Sequence, residues 1–422
     1  MSPRTWDNEN RLNTVAKYIG FLINPIIGVL LSLYHINTKS SFAILFLAFI
    51  TFGFSMVVPE EETKDFGFDS VTYRNNFENA ADDSSSDIQD NIISFFAFSG
   101  DTDIYGYLLM YLISRFTGNY HIFFMVAAII MAIFMLKTLR YLVTEDTYQF
   151  SIYGLCILFL FTISQILGVN MFRFYTAYWV ALFSLFKICV DKQNRYFILL
   201  ALTPLIHASY FVLLFIVPFY YWLHRHHNAA MVLLVLSLVF SALSLTILTK
   251  IIELLPTSLS SHYDAYIDSD YMFEINQGGT GYIWVRRILE TLVLLSVNVV
   301  AFIFAKNRKA NIDTNSPACR NIYALLLTFT IFVNFTIGIP SLGSRYIMFT
   351  YPLIAYISLR CFPAVQHRKI ISLFALFYIS MFLILPWNIY QIPCLNFYRK
   401  LTDTEFWIYS PVVSFVKYVI MP

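Results

Sequence analysis

The sequence predicts an all-α polytopic integral membrane protein, with roughly 10–12 transmembrane helices plus re-entrant or short helices. Three observations predict this class. Of 422 residues, 58% are hydrophobic and only 13% are charged, against about 25% charged in a soluble domain. Such a chain could not cover its own surface with polar groups, so lipid must solvate much of it. The apolar residues fall in runs near the about 20 residues that a helix needs to cross a bilayer. Aromatic residues reach 18%, with 42 Phe and 29 Tyr, which suits lipid-facing rings and interfacial belts and also stacking on sugars.

The runs lie at 15–34, 40–58, 120–142, 148–169, 173–190, 229–249, 282–305, 319–340, 345–362 and 370–387. Segment 103–118 is short for a span. Segment 196–222 is long and holds Pro204, His207 and Pro218. The whole chain, 1–422, reads as a single transmembrane domain. The first run follows Lys17 and is long enough to stay as an anchor rather than be cleaved as a signal peptide.

Lys and Arg near span ends set orientation. Clusters at Lys137/Arg140, Lys187/Lys192/Arg195, Arg225, Lys306/Arg308/Lys309/Arg320 and Arg360/Arg368/Lys369 are placed in the cytoplasm. Asn170–Arg173, 250–281 and 340–345 then lie outside. Arg195 and Arg225 both belong to the cytoplasm, so 196–222 is expected to be a re-entrant pair of half-helices with its turn near His207. Non-helical backbone at membrane depth needs protein or a water-filled cavity around it, so this places a polar cavity near His207. The other reading is one long tilted helix. The acidic loop 59–102, with Asp69 and nine further acids between Glu60 and Asp90, is expected outside, although with 15–34 as one crossing this forces the N-terminus outside, against Arg4, Arg11 and Lys17. Segment 388–422 is an aromatic C-terminal tail.

Ionisable groups in apolar sequence are functional candidates by default. Asn170 and Arg173 are spaced i, i+3, the spacing of one helix face. Arg gives planar, bidentate recognition of phosphate, or alternatively snorkels to headgroups. His207 reads as a general base or as a buried histidine satisfied by a hydrogen bond. Arg286 and Arg287 open a span, with Glu290 placed to pair with either. Arg345 follows a Gly-rich corner, Gly338, Pro340 and Gly343. Asp69 and Tyr73 are spaced i, i+4. In 250–281, Tyr263 and Tyr266 stand among acids. The formal net charge of +2 gives no reason to expect nucleic acid. No P-loop, dinucleotide Gly motif, metal-ligand spacing or Gly-x-Ser-x-Gly elbow occurs. Neither a metal nor another cofactor is expected. The five cysteines (Cys156, Cys189, Cys319, Cys361, Cys394) lie mostly in or beside apolar runs, without a disulfide framework.

Several stretches together resemble the EpsG family of Wzy-like bacterial exopolysaccharide and capsule polymerases. Gly168-Val-Asn170-Met-Phe-Arg173-Phe-Tyr-Thr-Ala177 is similar to its G-V-N-x-x-R-x-x-x-A signature. Phe68-Asp69-Ser70-Val71-Thr72-Tyr73 looks like its Asp-x-x-x-Tyr. Asp103-Ile-Tyr-Gly-Tyr107 through Asn119 looks like its short amphipathic segment. Leu205-Ile206-His207-Ala208-Ser209 resembles its His-x-Ser element, and Gly343-Ser344-Arg345-Tyr346 its late arginine. The resemblance spans roughly 45–360 and is compatible with a GT-C-like glycosyltransferase architecture.

The resemblance implies joining of oligosaccharide repeat units, carried on undecaprenyl diphosphate, at the outer face of the bacterial cytoplasmic membrane, for capsule, exopolysaccharide or O-antigen. Donor and acceptor lipid-linked oligosaccharides are the partners, beside membrane lipids. Chain-length regulator and flippase proteins are candidate companions. His207, Arg173 and Asp69 are the expected catalytic residues. Asn170, Arg345, Arg286, Arg287, Tyr73, Ser209, Tyr263 and Tyr266 are the expected substrate-binding residues. The rival readings are a membrane O-acyltransferase modifying polysaccharide, a lipid-linked oligosaccharide flippase or transporter, and a single-sugar transferase.

Overall fold

The structure, a computed structural model, describes residues 6–58, 69–97, 104–143, 150–162, 168–253, 283–313, 316–339, 342–362, 368–369, 372–373 and 408–421. It is helical throughout. The first two helices, α1 (Arg11–Ile23) and α2 (Pro25–Tyr34), correct the expectation of one span over 15–34. Asn24 has extended backbone between them, and its side-chain oxygen accepts from the amide of Ile26 at 2.8 Å. Pro25 then opens α2, at a position where its missing N–H costs nothing. The two helices fold back on each other tightly: a Cβ on Gly28 would lie 2.7 Å from Cβ of Phe21. The amide of Asp7 donates to the carbonyl of Asn37 at 2.9 Å, and Nδ2 of Asn37 donates to Oδ1 of Asp7 at 2.7 Å. The chain therefore enters and leaves this hairpin at one end.

Lys17 is the buried charge of the hairpin, 2% exposed. Its ammonium donates to the hydroxyls of Ser41 (2.7 Å), Thr38 (3.1 Å) and Ser40 (3.3 Å) and pairs with Glu9. A buried cation is tolerated when it is paired and hydrogen-bonded in this way. Glu9 answers on its side. Burial raises the pKa of its carboxyl, but hydrogen bonds from Lys17, Ser40 and Thr14 outweigh that and leave it below the usual value.

After α3 (Lys39–Phe54) come two helices of the acidic loop, α4 (Asp69–Asn79) and α5 (Ser85–Phe96), then α6 (Tyr105–Ser114), α7 (Tyr120–Leu139), α8 (Ile152–Thr162) and α9 (Phe172–Cys189). Helices α7 and α9 run parallel. Phe123 meets Phe172 at 5.3 Å near their starts, and Tyr141 meets Phe186 at 5.0 Å just beyond the end of α7. The two ends of α9 define the two ends of the bundle. Nearly every side chain of α9 is buried, so it is the axis around which the rest packs.

The segment after α9 climbs and returns. It consists of α10 (Tyr196–Ala201), α11 (Thr203–Ile206), a 3₁₀ turn over Ala208–Val212, and α12 (Leu213–Arg225). His207 sits at the break with extended backbone. Phe197 and Tyr221 lie on opposite limbs with rings 6.1 Å apart, and the Tyr220 hydroxyl is 3.5 Å from Cys189 Sγ. Both limbs are thus rooted at the Cys189 end, and their tip carries His207 to Phe174 at the other end, with rings 5.4 Å apart.

The remaining helices are α13 (His227–Val239), α14 (Ser244–Ile252), α15 (Ile283–Lys306), α16 (Pro317–Thr336), α17 (Gly343–Tyr346), α18 (Thr350–Cys361) and α19 (Pro411–Phe415). The run expected over 229–249 is divided by a 3₁₀ turn at Phe240–Leu243, and that over 345–362 by one at Ile347–Phe349. Inside the bundle Asn298 and Asn334 exchange side-chain amide hydrogen bonds of 2.8 and 2.9 Å, and Asn334 also donates to Ser237 at 3.1 Å. All three are buried. This clamp joins α13, α15 and α16 without leaving their amides unsatisfied. α19 continues into a short π-helical turn over Val416–Ile420, where the carbonyl of Tyr418 accepts from Nδ2 of Asn119 at 2.6 Å and the Tyr418 ring stacks on His121 at 3.9 Å.

Among the described residues, α7 and α16 are the helices long and apolar enough to cross a membrane by themselves. Outward faces elsewhere are strongly apolar, with Leu12, Ile23, Leu30, Phe215, Val232 and Val239 all exposed. Surface apolar area on this scale marks a chain that contacts lipid or partners. Basic last turns are concentrated at one end of the bundle, with Lys250, Arg345 and Lys417 lying elsewhere. Lys137, Lys187, Arg225, Lys306 and Arg360 lie in last turns that share the Cys189 end. The run expected over 370–387, apart from residues 372–373, and the tail to 407 lie outside the described residues.

Candidate active site

At the Phe172 end, three separate elements bring polar side chains to consecutive residues of α9, and a fourth packs a glycine against them. Arg173 stands in its first turn. Its Nε donates to the Tyr73 hydroxyl at 3.1 Å, and its guanidinium lies 5.0 Å from the Tyr73 ring centroid. Tyr73 comes from α4, where Asp69 is the acid of the first turn, so the i, i+4 relation read from the sequence holds. The Tyr73 ring packs edge-on against Phe172 at 4.7 Å. α6 closes the arrangement from the side: a Cβ on Gly106 would lie 2.6 Å from Cδ of Arg173. Only a glycine lets the arginine stem pass there.

Arg345 approaches from α17, with its guanidinium 5.5 Å from the ring centroid of Phe174. Gly343, which opens α17, is pressed against backbone, since a Cβ there would meet Cα of Ile337 at 2.6 Å. Tyr346, next in the chain after Arg345, donates its hydroxyl to the carbonyl of Ser209 at 2.6 Å. That bond ties the arginine's turn to the His207 tip.

His207 stands edge-on to Phe174, with an interplanar angle of 85°. Its Nδ1 accepts from the amide of Ser209 at 3.2 Å and is 2.9 Å from the Ser209 hydroxyl. The following Tyr210 is wholly buried and donates to the carbonyl of Phe174 at 3.0 Å. The amide of Ile104 donates to the carbonyl of Leu205 at 3.1 Å, so the segment before α6 is bonded directly to the tip.

Asn170 corrects one detail. It lies in the turn before α9, so it does not share a helix face with Arg173. It is 4% exposed, and its Oδ1 has no hydrogen-bond partner among the described residues. A buried acceptor without a partner is costly and is the kind of group a substrate hydroxyl satisfies. Arg286 and Arg287 begin α15, but their side chains lie outside the described residues, as do Tyr263 and Tyr266 altogether. The structure thus gathers Tyr73, Arg173, His207, Ser209 and Arg345 around Phe172 and Phe174, with Asp69 one turn from Tyr73.

Sequence reasoning did not single out Phe172, Phe174, Tyr210 or Tyr346. Aromatic residues are too common here to carry a signal. Gly106 was in view only as part of a motif.

Of the comparisons with known proteins, one decides the family: the sequence profile of the EpsG family matches residues 44–398. The chain belongs to the EpsG family. Neither a curated protein nor a solved structure matches it. The EpsG family is associated with polysaccharide polymerase activity, a glycosyl transfer. Membership and the exposed apolar helices together point to a membrane protein. The matched region contains every element of the site and leaves the α1–α2 hairpin outside it.

Proposed function

We propose that this EpsG-family protein is a polytopic enzyme of the bacterial cytoplasmic membrane that joins undecaprenyl-diphosphate-linked oligosaccharide repeat units. The observation that carries the reading is that Arg173 and the Phe174 ring, which seats both Arg345 and His207, are adjacent residues in the first turn of one buried helix. Two guanidiniums so placed, at the end of the bundle away from its basic helix ends, suit an anionic substrate presented from outside.

The chemistry asks little more of the protein. A hydroxyl of the acceptor glycan attacks the anomeric carbon of the donor. The new carbon–oxygen bond forms as the bond to diphosphate breaks, and the electron pair leaves with the diphosphate. Arg173 and Arg345 stabilise the charge that grows there. Asn170 and Tyr73 hold sugar hydroxyls or position Arg173. The attacking hydroxyl gives its proton to a group within hydrogen-bond reach, for which His207 and Asp69 are the candidates. Tyr263, Tyr266, Arg286 and Arg287 are assigned to the saccharide and diphosphate path on their sequence alone.

The α1–α2 hairpin supports the orientation. It returns to the end where it began, and the Arg140 guanidinium lies 3.7 Å from the Trp6 ring centroid, so the chain at Trp6 shares the Cys189 end with those basic helix ends. The acidic loop can then lie outside while Arg11 and Lys17 stay on the cytoplasmic side, and for these residues the conflict that a single span creates disappears.

The test is a gel of surface polysaccharide from cells with the wild-type protein, a deletion, or Arg173→Ala. The expected result is single lipid-linked repeat units in the deletion, and polymer reduced about 100-fold or more with Arg173→Ala, the size of loss typical of a transition-state charge ligand. Purified protein in detergent should also polymerise lipid-linked units. Normal polymer in the deletion, or no polymerisation in detergent beside an active membrane fraction, would move the reading to acyl transfer or transport.

A further inference from the structure

Resting on the polymerase reading, the geometry points to His207 as a hydrogen-bond donor to the leaving diphosphate, through Nε2–H, with Ser209 as the positioning residue that fixes this tautomer. The argument begins with the amide of Ser209, which donates to Nδ1 of His207 at 3.2 Å. An amide N–H cannot accept, so Nδ1 must offer its lone pair. The Ser209 hydroxyl reaches the same nitrogen at 2.9 Å and donates to it in the same state. A neutral imidazole with the lone pair on Nδ1 carries its proton on Nε2. A general base needs the opposite arrangement at its outward nitrogen.

The backbone enforces this. His207 is extended at the break between α11 and the 3₁₀ turn, and its ring caps that turn. Ser209 is 6% exposed, and its carbonyl is held by the Tyr346 hydroxyl at 2.6 Å. The residue whose amide dictates the tautomer is therefore fastened, through its own carbonyl, from the side of Arg345. The guanidinium of Arg345 and the imidazole of His207 both lie against the Phe174 ring, at 5.5 and 5.4 Å. An N–H donor beside a guanidinium is a pair suited to the non-bridging oxygens of a diphosphate. The proton of the attacking hydroxyl then goes to a carboxylate, for which Asp69, one turn from the Tyr73 that touches Arg173, is the candidate among the described residues.

Two measurements test the proposal. Histidine-selective ¹⁵N labelling, with His207→Gln as the difference control, reads the tautomer of the purified protein without substrate. The expected state at neutral pH is protonated Nε2 and bare Nδ1, unchanged in Ser209→Ala because the amide remains. In polymerisation assays His207→Gln, which keeps an N–H near the Nε2 position but cannot act as a base, should stay within about tenfold of wild type. His207→Ala should fall about 100-fold. A proton found on Nδ1, or a folded His207→Gln as inactive as His207→Ala, overturns the proposal. Absence of polymerisation by the wild type would instead overturn the polymerase reading, and the labelling experiment would still decide the tautomer.

Discussion

Arg173 reaches Tyr73 only because residue 106 has no side chain. Gly106→Ala would put a Cβ 2.6 Å from Cδ of Arg173, so the arginine must shift. The expected outcome is a tenfold or greater loss of polymer with little change in melting temperature, measured on the same purified variant. Tyr73→Phe removes one hydrogen bond to a charged group, a loss of about 1.5–3 kcal/mol if it acts fully in the transition state. An activity drop of about tenfold or more, with the ring packing against Phe172 retained, is expected in the same assay. At this scale much of the candidate site was legible. Asn170, Arg173, His207 and Arg345 stood out because polar groups in apolar sequence need a reason. Phe174 did not, since nothing in sequence separates a ring that seats two cationic or polar groups from a ring that faces lipid.

The elements show where the sequence misled. The run over 15–34 has the length and apolarity of one crossing, but it contains the Asn24–Pro25 pair. Asn at a helix cap followed by Pro in the first turn is a stop and a start in one place, and the structure uses it so. The break at His207 was legible because charge at both flanks demanded a return. The clamp of Asn298, Asn334 and Ser237 was invisible, since its partners are 36 or more positions apart in the chain. It makes a definite prediction. Asn334→Leu leaves Asn298 with a buried, half-satisfied amide and should destabilise by about 1–2 kcal/mol. The double variant Asn298→Leu with Asn334→Leu should lose less than the sum of the two single changes. Thermal unfolding in detergent would show it, and strict additivity would mean that the amides act independently.

For the whole molecule, the proposed orientation places residues 7 and 37 on the cytoplasmic side and α4 and α5 outside. Single cysteines at positions 8 and 75 should be labelled by an impermeant reagent only in inside-out vesicles and only in intact spheroplasts, respectively. The same side for both would refute the hairpin topology. Glu9 adds a pH dependence. Its carboxyl sits below its ordinary value of 4.5 in the folded protein. Its contribution is therefore fully present above that value and is lost as pH falls through the lower folded value. Unfolding curves from pH 6 downward should show wild type losing stability relative to Glu9→Gln, and parallel curves would remove Glu9–Lys17 as an acid-sensitive fastening.

The hairpin of α1 and α2 also carries an arithmetic of its own. A crossing added to the front of a membrane protein inverts everything behind it, so it cannot be gained or lost without turning the catalytic face to the wrong side. A segment that goes in and comes back out is neutral in this count. The family profile begins at residue 44, after the hairpin. In the proposed orientation, this chain therefore carries a front module whose gain or loss leaves unchanged the side of the membrane that every later residue of the matched body faces.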